Sequence, residues 1–416
     1  MRGASAVLSR KSGFDVDQLL PPQQAIITFL SRAALLPPRR ESVDLDDALG
    51  RVLACDVVAD RAYPDAPRST MDGYAIRACD APARLRVVAD VAMGKAATVA
   101  LGDHEAASIP TGGMLPPGAD AVVPIERVEL DGDAIWVGEK VISGDCITER
   151  GEDIKEGERL FHAGRRIGPA EAGVLATLGR VRVDVYAQPR CAVISSGDEL
   201  VAPGTKPLPG QIRDSNRYAI AAALRAMGAQ VAHLPTVSDR KGALAAALRS
   251  ALPQNDAIFL SGGSSVGERD RTPAAIASLG EPGVIVHGLR VKPGKPTVLA
   301  AIDGKAVIGL PGNPTSALMI LETIGKPIVA ALAGAHLIDG ARDAELGEAI
   351  ESRAGWTWFV PVGLSVERER LRAQPLPMRS SLASLCARAG GFIVLDEATQ
   401  RLEMGATVKV HPFTTT

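Results

Sequence analysis

The stretch 256-DAIFLSGGSSVGERD-270 indicates the fold of the central part of the chain. Strand-type residues from Asp256 to Leu260 run into small residues, and two acids follow at Glu268 and Asp270. A short apolar run bounded by glycines is typical of a buried strand. The next segment, 272-TPAAIASLG-280, has the length and the glycine stop of a short helix. Together they predict a buried strand that leads through a loop into a helix.

The same alternation of strand and helix runs through residues 189–335. The strand-type segments CAVIS and QVAHLPTV alternate with the helical segments SNRYAIAAALRAMG and RKGALAAALRSAL, and a long helix is predicted from Thr315. Strands that alternate with helices of this length predict a doubly wound α/β domain with a mainly parallel sheet. The fold class is therefore a multidomain α/β protein.

The flanking regions show other patterns. Apolar residues recur at helical spacing over 15–35, and residues 42–188 form short β-type segments separated by Gly and Pro. A short helix with a glycine stop is predicted at 169–179. The last 80 or so residues return to β-type segments, which predict a small β-barrel or sandwich.

Composition excludes several function classes. The formal net charge of −2 and the aromatic content of 3% provide neither a basic surface nor a stacking platform, so we expect no nucleic-acid binding. The five cysteines are scattered, without a C-x-x-C pair, and we expect small buried thiols rather than a zinc site or disulfides. No signal-peptide core and no membrane-spanning apolar run is evident, which predicts a cytoplasmic protein without membrane contact.

Three loops follow predicted strands of the α/β domain and carry glycines together with polar residues. They are 194-ISSGDEL-200, 259-FLSGGSSVGERD-270 and 308-IGLPGNPTSA-317. Ligands of open α/β sheets bind beyond the carboxyl ends of the strands. The third loop also opens a helix, whose first N–H groups attract an anion such as phosphate. A tight turn would explain one such loop, but three in one domain favour an anion site.

Charged residues support that interpretation. In 291-VKPGKPT-297, prolines flank Lys292 and Lys295, which suits them as counter-charges to an anion. A phosphate-binding P-loop is not supported, because Pro296 stands where the Ser or Thr that binds magnesium would be. Acids recur in other turns, as in MDGYA, GADAVVPIE and GEDI. Carboxylates of this kind can bind Mg²⁺, which neutralises charge in phosphoryl chemistry.

Taken together, the motifs resemble one family, the molybdopterin molybdenumtransferases, which include the MoeA proteins and the E domain of gephyrin. The matching segments span most of the chain in the family's order: PRSTMDGYAIR (67–77), IPTGGMLPPGADAVVPIE (109–126), GEDIKEG (151–157), SSGDELVAPG (195–204), GQIRDSNRYAI (210–220), SGGSSVGERD (261–270), VKPGKP (291–296) and LPGNPTSA (310–317).

The resemblance implies a function and an architecture. Members insert molybdate into adenylylated molybdopterin and release AMP, with a divalent cation, here Mg²⁺. They are homodimers of four-domain subunits, and the active site lies between the third domain of one subunit and the second domain of the other. In this chain we expect a discontinuous first domain (1–36 and 158–188), an inserted β-rich domain (37–157), the α/β domain (189–337) and the β-barrel (338–416). Expected protein partners are a molybdopterin adenylyltransferase and apo-molybdoenzymes.

The resemblance also implies roles for individual residues. The expected catalytic residues are Asp72, Thr111, Asp153, Glu199, Asp239 and Asp270, and the expected metal ligands are Glu199, Glu268 and Asp270. The expected substrate-binding residues are Ser261, Gly262, Gly263, Ser264, Lys292, Lys295, Pro311, Gly312, Asn313, Pro314, Ser380 and Ser381. Asp72 and Thr111 would close the site from the partner subunit.

One segment departs from the family. Members often carry G-R-x-x-F-x-R in the last domain, whereas 355-GWTWFVP-361 has Trp356 and Pro361 at those places. The change removes basic residues that would hold an anionic cofactor and predicts weaker or altered metal insertion. Two alternatives stay open: adenylylation of molybdopterin, which related stand-alone α/β domains perform, and a non-catalytic molybdopterin-binding or scaffold role, which the departure favours.

Overall fold

The computed structural model describes residues 18–262 and 272–414. The chain divides into two compact units. Unit 1 comprises the residues up to 54, residues 164–169 and the residues from 182 onward, and unit 2 comprises residues 55–163 and 170–181. The finer division into four domains stays a prediction.

The helices are α1 (Pro22–Arg32), α2 (Pro169–Thr177), α3 (Asn216–Ala226), α4 (Ala243–Ala251), α5 (Thr272–Ala277), α6 (Pro314–Ile320), α7 (Lys326–Leu332) and α8 (Leu385–Arg388). Single 3-10 turns lie at Leu45–Asp47, Ala78–Asp80, Ile125–Arg127 and Leu252–Gln254, and a π-helical turn at Leu321–Gly325 joins α6 to α7.

The strands are β1 (Arg40–Asp44), β2 (Val52–Leu53), β3 (Val57–Val58), β4 (Arg68–Ser69), β5 (Gly73–Ile76), β6 (Ala83–Asp90), β7 (Glu105–Ile109), β8 (Ala121–Pro124), β9 (Val128–Asp131), β10 (Ala134–Val137), β11 (Ile147–Thr148), β12 (Arg159–Phe161), β13 (Arg182–Tyr186), β14 (Arg190–Ser195), β15 (Leu200–Val201), β16 (Ile212–Arg213), β17 (Gln230–His233), β18 (Ala257–Ser261), β19 (Pro282–His287), β20 (Val291–Lys292), β21 (Val298–Ile302), β22 (Lys305–Leu310), β23 (Arg342–Leu346), β24 (Ile350–Glu351), β25 (Thr357–Glu367), β26 (Arg370–Pro375), β27 (Gly391–Leu395), β28 (Arg401–Leu402) and β29 (Thr407–His411).

The central sheet of unit 1 has the strand order β17-β14-β18-β22-β21-β19. Strands β17, β14, β18 and β22 pair in parallel, whereas β21 is antiparallel to both of its neighbours. Side chains of β14 alternate between two apolar cores, with Val193 in one and Ile194 in the other. Helices α1, α3, α6 and α7 cover the first face, and α4 and α5 cover the second. The predicted doubly wound, mainly parallel sheet is confirmed.

Prolines define where two helices begin. The first helix was predicted over residues 15–35, of which 15–17 lie outside the described residues. In the described part, α1 spans Pro22–Arg32 and starts at Pro22 because Pro21 is extended, with φ −59° and ψ 155°. The predicted long helix begins at Pro314 and runs through the π-helical turn to Leu332. Among the described residues, this helical run alone is long and apolar enough to span a membrane, and 72% of its most apolar window is buried within the fold. That burial is typical of a core helix.

A closed barrel forms the C-terminal part of unit 1, as predicted. Strands β25, β26, β23, β29 and β27 follow one another, and β27 pairs with β25 to close the ring. Its core includes Val360, Val362 and Ile393. Strand β20, from the α/β part, pairs in parallel with the start of β25, which places Lys292 beside Trp358. This pairing brings the lysine segment to the barrel.

Unit 2 is β-rich, as expected, and is built on a sheet of order β8-β5-β7-β6-β10-β9. Consecutive residues of β5 enter different cores, Ala75 on one face of the sheet and Ile76 on the other. Val122 and Val123 of β8 divide in the same way. Both faces of this sheet are therefore covered.

The cysteines differ from expectation. Cys191 is buried, but Cys55 and Cys79 are exposed, and all five thiols are free. The expectation of buried thiols rested on the average behaviour of free cysteine and was wrong for these two, which lie at or beside turns.

Candidate functional site

Three loops leave the central sheet side by side. Ser195 ends β14 in register with Ser261 at the end of β18, and Ser261 is in register with Leu310 at the end of β22. The chain leaves β14 toward β17 on one side and returns to β18 on the other side. This reversal of strand order is the place where open α/β sheets bind ligands.

Asn216, at the start of α3, ties two of these loops together. Its Nδ2 donates hydrogen bonds to Ser261 Oγ and to the Gly312 carbonyl, both at 2.8 Å. Gly262 has φ +95°, and a Cβ on it would lie 2.3 Å from the Ser196 carbonyl oxygen. Glycine is therefore required at this position, and the loop after β18 begins directly against the loop after β14.

A pocket of about 750 Å³ opens beyond this edge, within unit 1. Its walls come from the loops after β14 and β22, from the lysine segment, and from the barrel. The lining residues are Glu199, Ile212, Val291, Lys292, Pro293, Gly294, Lys295, Pro296, Pro311, Gly312, Asn313, Thr315, Ser316, Arg353, Trp356, Trp358, Pro361, Met378, Arg379, Ser380 and Leu385.

The pocket is cationic. Of the described residues that line it, Lys292, Lys295, Arg353 and Arg379 are basic, and Glu199 alone is acidic. Burial lowers the pKa of Lys295. The lysine segment is fixed by its backbone, because the Lys295 carbonyl accepts the N–H groups of Leu289 at 2.8 Å and Thr297 at 2.9 Å. An excess of positive charge in a partly enclosed space favours an anionic ligand.

The helix that begins at Pro314 forms another wall. Asn313 precedes it, and its Nδ2 donates a hydrogen bond to Ser380 Oγ at 3.1 Å. The Thr315 N–H donates to the Ser380 carbonyl at 3.2 Å, and Thr315 Oγ1 donates to the Leu382 carbonyl at 2.8 Å. These bonds join the helix start to the segment 378–382 from the barrel part of the chain.

Acidic residues lie in the loop after β14 and in the neighbouring loop after β17. Glu199 reaches the pocket, and the carboxylate of Asp198 accepts the backbone N–H of Asp239 at 3.1 Å, so that the loop after β17 lies beside it. All three acids are exposed. Within residues 18–262 and 272–414, no group of three or more His, Cys, Asp or Glu residues is placed to hold a metal ion.

Unit 2 brings Asp72 and Thr111 together. The carboxylate of Asp72 accepts the Thr111 N–H at 2.7 Å and the Thr111 hydroxyl at 2.8 Å. These bonds lower the pKa of Asp72, the backbone bond having the larger effect. Asp153 is exposed and lines a shallow hollow of about 500 Å³ beside Lys155 and Glu158.

Comparison with known proteins identifies the family. Family models match residues 20–179 (MoeA N-terminal region, domain I and II), 192–331 (probable molybdopterin binding domain) and 343–413 (MoeA C-terminal region, domain IV). The molybdopterin molybdenumtransferase of Bacillus subtilis is 33% identical over 387 residues, covering 89% of each chain. The chain belongs to the molybdopterin molybdenumtransferase family.

Other members of the molybdopterin molybdenumtransferase family agree. The Haemophilus influenzae protein of that name is 31% identical, over 91% of this chain and 95% of its own. A solved molybdopterin biosynthesis MoeA protein from Pyrococcus horikoshii superposes with a TM-score of 0.78 and 34% identity, covering 95% of this chain and 99% of that one. The resemblance drawn from the motifs and the predicted fold are both confirmed.

The structure assembles many of the residues that the family pattern implies. Those lining one pocket are Glu199, Lys292, Lys295, Pro311, Gly312, Asn313 and Ser380. Ser261 is joined through Asn216 to the lining residue Gly312, and Gly262 adjoins Gly312. Pro314 is the first residue of α6, and Ser381 is exposed next to Ser380. Gly263, Ser264, Glu268 and Asp270 lie outside the described residues. The functional roles of all these positions stay predictions.

Several lining residues were not predicted as members of the site. Arg353, Arg379 and Trp358 reach the pocket from the barrel, and Asn216 supports its floor. Trp356 was noted only as a departure that removes charge, yet the pocket keeps Arg353 and Arg379. The segment GWTWFVP contains three lining residues, Trp356, Trp358 and Pro361. The pairing of β20 with β25, which carries Trp358 to the lysine segment, has no local sequence pattern.

Proposed function

We propose that this molybdopterin molybdenumtransferase family member inserts molybdate into adenylylated molybdopterin and releases AMP, in molybdenum cofactor biosynthesis. The observation that carries the proposal is the cationic pocket at the ends of β14, β18 and β22. The curated relatives over nearly the whole chain carry the name of this activity. Their match also includes unit 2 and the barrel, which a stand-alone adenylylating domain does not need.

The pocket's own residues suggest how the substrates are held. Lys292, Lys295 and the two pocket arginines neutralise phosphate and molybdate oxygens. Gly312 lines the pocket without a side chain, and Gly262 lets the loop after β18 pack directly against the Ser196 carbonyl, which keeps the strand ends close together at the pocket. The site thus holds two anions near each other so that molybdenum can pass to the dithiolene sulfurs.

Mg²⁺ is part of the proposal. Bound magnesium would neutralise charge that develops on the diphosphate. Glu199 is the expected ligand that lies in the pocket wall, and its expected partners Glu268 and Asp270 lie outside the described residues. Carboxylate oxygens are the donors that Mg²⁺ prefers, so Glu199 has the chemistry of a ligand for the ion.

Assembly and location complete the proposal. We expect a homodimer in which the partner subunit supplies its copies of Asp72 and Thr111. We also expect cytoplasmic localisation and exchange of substrate and product with a molybdopterin adenylyltransferase and apo-molybdoenzymes. Size-exclusion chromatography with light scattering tests the dimer, and a monomer at micromolar concentration would contradict it.

The activity is tested with purified protein, adenylylated molybdopterin, Mg²⁺ and molybdate. We expect AMP release, and we expect Lys295→Met to raise the KM for adenylylated molybdopterin by about 10- to 150-fold, because a charged hydrogen bond contributes about 1.5–3 kcal/mol. Lys409→Met is the control, since Lys409 is exposed on the barrel and pairs with Asp343 at 3.6 Å, outside the pocket. No AMP release, with the Bacillus subtilis relative active in parallel, would contradict the proposal.

One assay with the purified protein and one in cells separate the alternatives. ATP consumption that depends on free molybdopterin would favour adenylylation. Unchanged molybdoenzyme activity in cells that carry Asp270→Asn would favour a non-catalytic role.

A further inference from the structure

Two tryptophans form part of the pocket wall at the place where the chain departs from its family. Trp356 and Trp358 both line the pocket and are both half-buried, while Thr357 between them is buried. Side chains two residues apart along an extended segment point to the same side. The sequence from Trp356 into β25 therefore presents two indole rings together toward the pocket.

Each indole ring has a cationic side chain over its face. Lys292 Nζ lies 3.8 Å from the centroid of the Trp358 ring, and Arg353 Cζ lies 5.6 Å from the centroid of the Trp356 ring. Both distances are within the range of about 6 Å over which an indole attracts a cation. All four residues line the same pocket. Lys292 and Arg353 are both exposed residues, and their contacts with the rings restrict the positions that the two cations take at the pocket.

Backbone structure explains why these pairs form. Strand β20 pairs with β25 so that Lys292 stands opposite Trp358. A tight turn places Arg353 near Trp356, because the Trp356 N–H donates to the Arg353 carbonyl at 3.2 Å. The first pair joins two parts of unit 1 that are about 65 residues apart in sequence, and the second is local.

We propose that Trp356 and Trp358 are positioning residues that hold Arg353 and Lys292 in the pocket to bind the oxyanion groups of the substrate. Arg353, lying over Trp356, supplies the positive charge that the family pattern places at position 356. The inference deepens the proposed function and rests on it for the identity of the oxyanion.

Inorganic pyrophosphate is the probe, and its dissociation constant is measured by isothermal titration calorimetry. A cation–π contact contributes about 0.5–2 kcal/mol, so we expect Trp358→Leu to weaken pyrophosphate binding about 2- to 30-fold. Trp358→Phe keeps an aromatic face and should retain most of the affinity. Equal weakening by Leu and Phe, or none by Leu, would overturn the role of the ring.

The second pair has a rescue test. Arg353→Ala should weaken pyrophosphate binding, and the double variant Arg353→Ala/Trp356→Arg should recover it to within about 2-fold, because charge returns to the same wall. The control is Arg40→Ala, which removes an arginine 5.9 Å from the centroid of the Tyr186 ring, outside the pocket. If Arg353→Ala behaves like Arg40→Ala, the assignment is wrong.

Fluorinated tryptophan removes any ambiguity from altered folding. In a Trp136→Phe background, the two pocket tryptophans are the whole tryptophan content of the chain. Replacing them with mono- and then trifluorotryptophan reduces the negative charge of the ring face with little change in shape, so affinity should fall stepwise. Constant affinity across the series would refute the proposal. Because pyrophosphate binding is measured without turnover, absence of AMP release would refute the proposed function and leave this inference standing.

Discussion

Asn216 offers a sharp test of how the floor of the pocket is held. Its Nδ2 bonds to Ser261 Oγ and to the Gly312 carbonyl, both at 2.8 Å, so Asn216→Ala removes two hydrogen bonds and leaves a buried serine hydroxyl without its donor. A net hydrogen bond contributes about 0.5–1.5 kcal/mol, which gives about 1–3 kcal/mol for the pair. The loops after β18 and β22 would lose their common anchor.

The assay is steady-state AMP release together with the midpoint of thermal unfolding. If the full energy of the two hydrogen bonds, about 1–3 kcal/mol, contributes to transition-state binding by keeping the two loops in place, Asn216→Ala lowers kcat/KM by about 5- to 150-fold. Ser215→Ala is the matched control, because Ser215 is exposed at the same helix start and its side chain makes no capping bond. Equal kcat/KM for Asn216→Ala and Ser215→Ala would refute the idea that Asn216 organises the site.

Three further predictions follow from the geometry. Gly262→Ala should lower the midpoint of thermal unfolding more than Gly242→Ala. Both glycines have positive φ, but only the Cβ at position 262 would meet backbone, the Ser196 carbonyl oxygen at 2.3 Å. Equal decreases in the midpoint would show that this clash is absent. Thr111→Val should raise the pKa of Asp72 toward its ordinary value, seen in an NMR titration of the carboxyl carbon. Because the pKa of Asp72 is lowered in the fold, the stabilisation from its bonds to Thr111 is present at neutral pH and is lost as the pH falls through that pKa. A titration of Asp72 in Thr111→Val identical to that in the unmodified protein would contradict the role of the Thr111 hydroxyl. Burial lowers the pKa of Lys295, so its positive charge should be lost, and pyrophosphate affinity should decline, at a pH below the pKa of an ordinary lysine. Lys295→Arg should remove that decline. An unchanged pH profile in this variant would exclude Lys295 as the source of the decline.

The sequence was sufficient for the fold of the centre of the chain because each strand and helix there has its own local pattern. Val193 and Ile194, for example, lie in a run that is apolar on both faces, as a buried parallel strand requires. The loops after three strands were predicted to carry the site, and the structure sets them side by side at one edge. The order of strands in a sheet leaves no local sequence pattern. That the three loops lie next to each other could therefore be expected only from the general rule that open α/β sheets bind ligands at the carboxyl ends of their strands.

The missed part of the site comes from long-range pairing. Trp358 reaches Lys292 only because β20 joins the barrel strand β25, and the sequence near either residue gives no indication of that contact. Arg353 was missed for a different reason, since the family pattern directed attention to position 356 and to a loss of charge there. The structure instead places Arg353, three residues earlier, over the indole of Trp356, which stands where the family pattern has an arginine.

The most direct test of the account is the molybdate dependence of AMP release. With adenylylated molybdopterin and Mg²⁺ present, we expect AMP to appear only after molybdate is added, with one AMP released for each molybdenum atom bound to the product. Release of AMP at the same rate without molybdate, or binding of molybdenum without release of AMP, would contradict the central claim that this pocket couples metal insertion to cleavage of the adenylylated substrate.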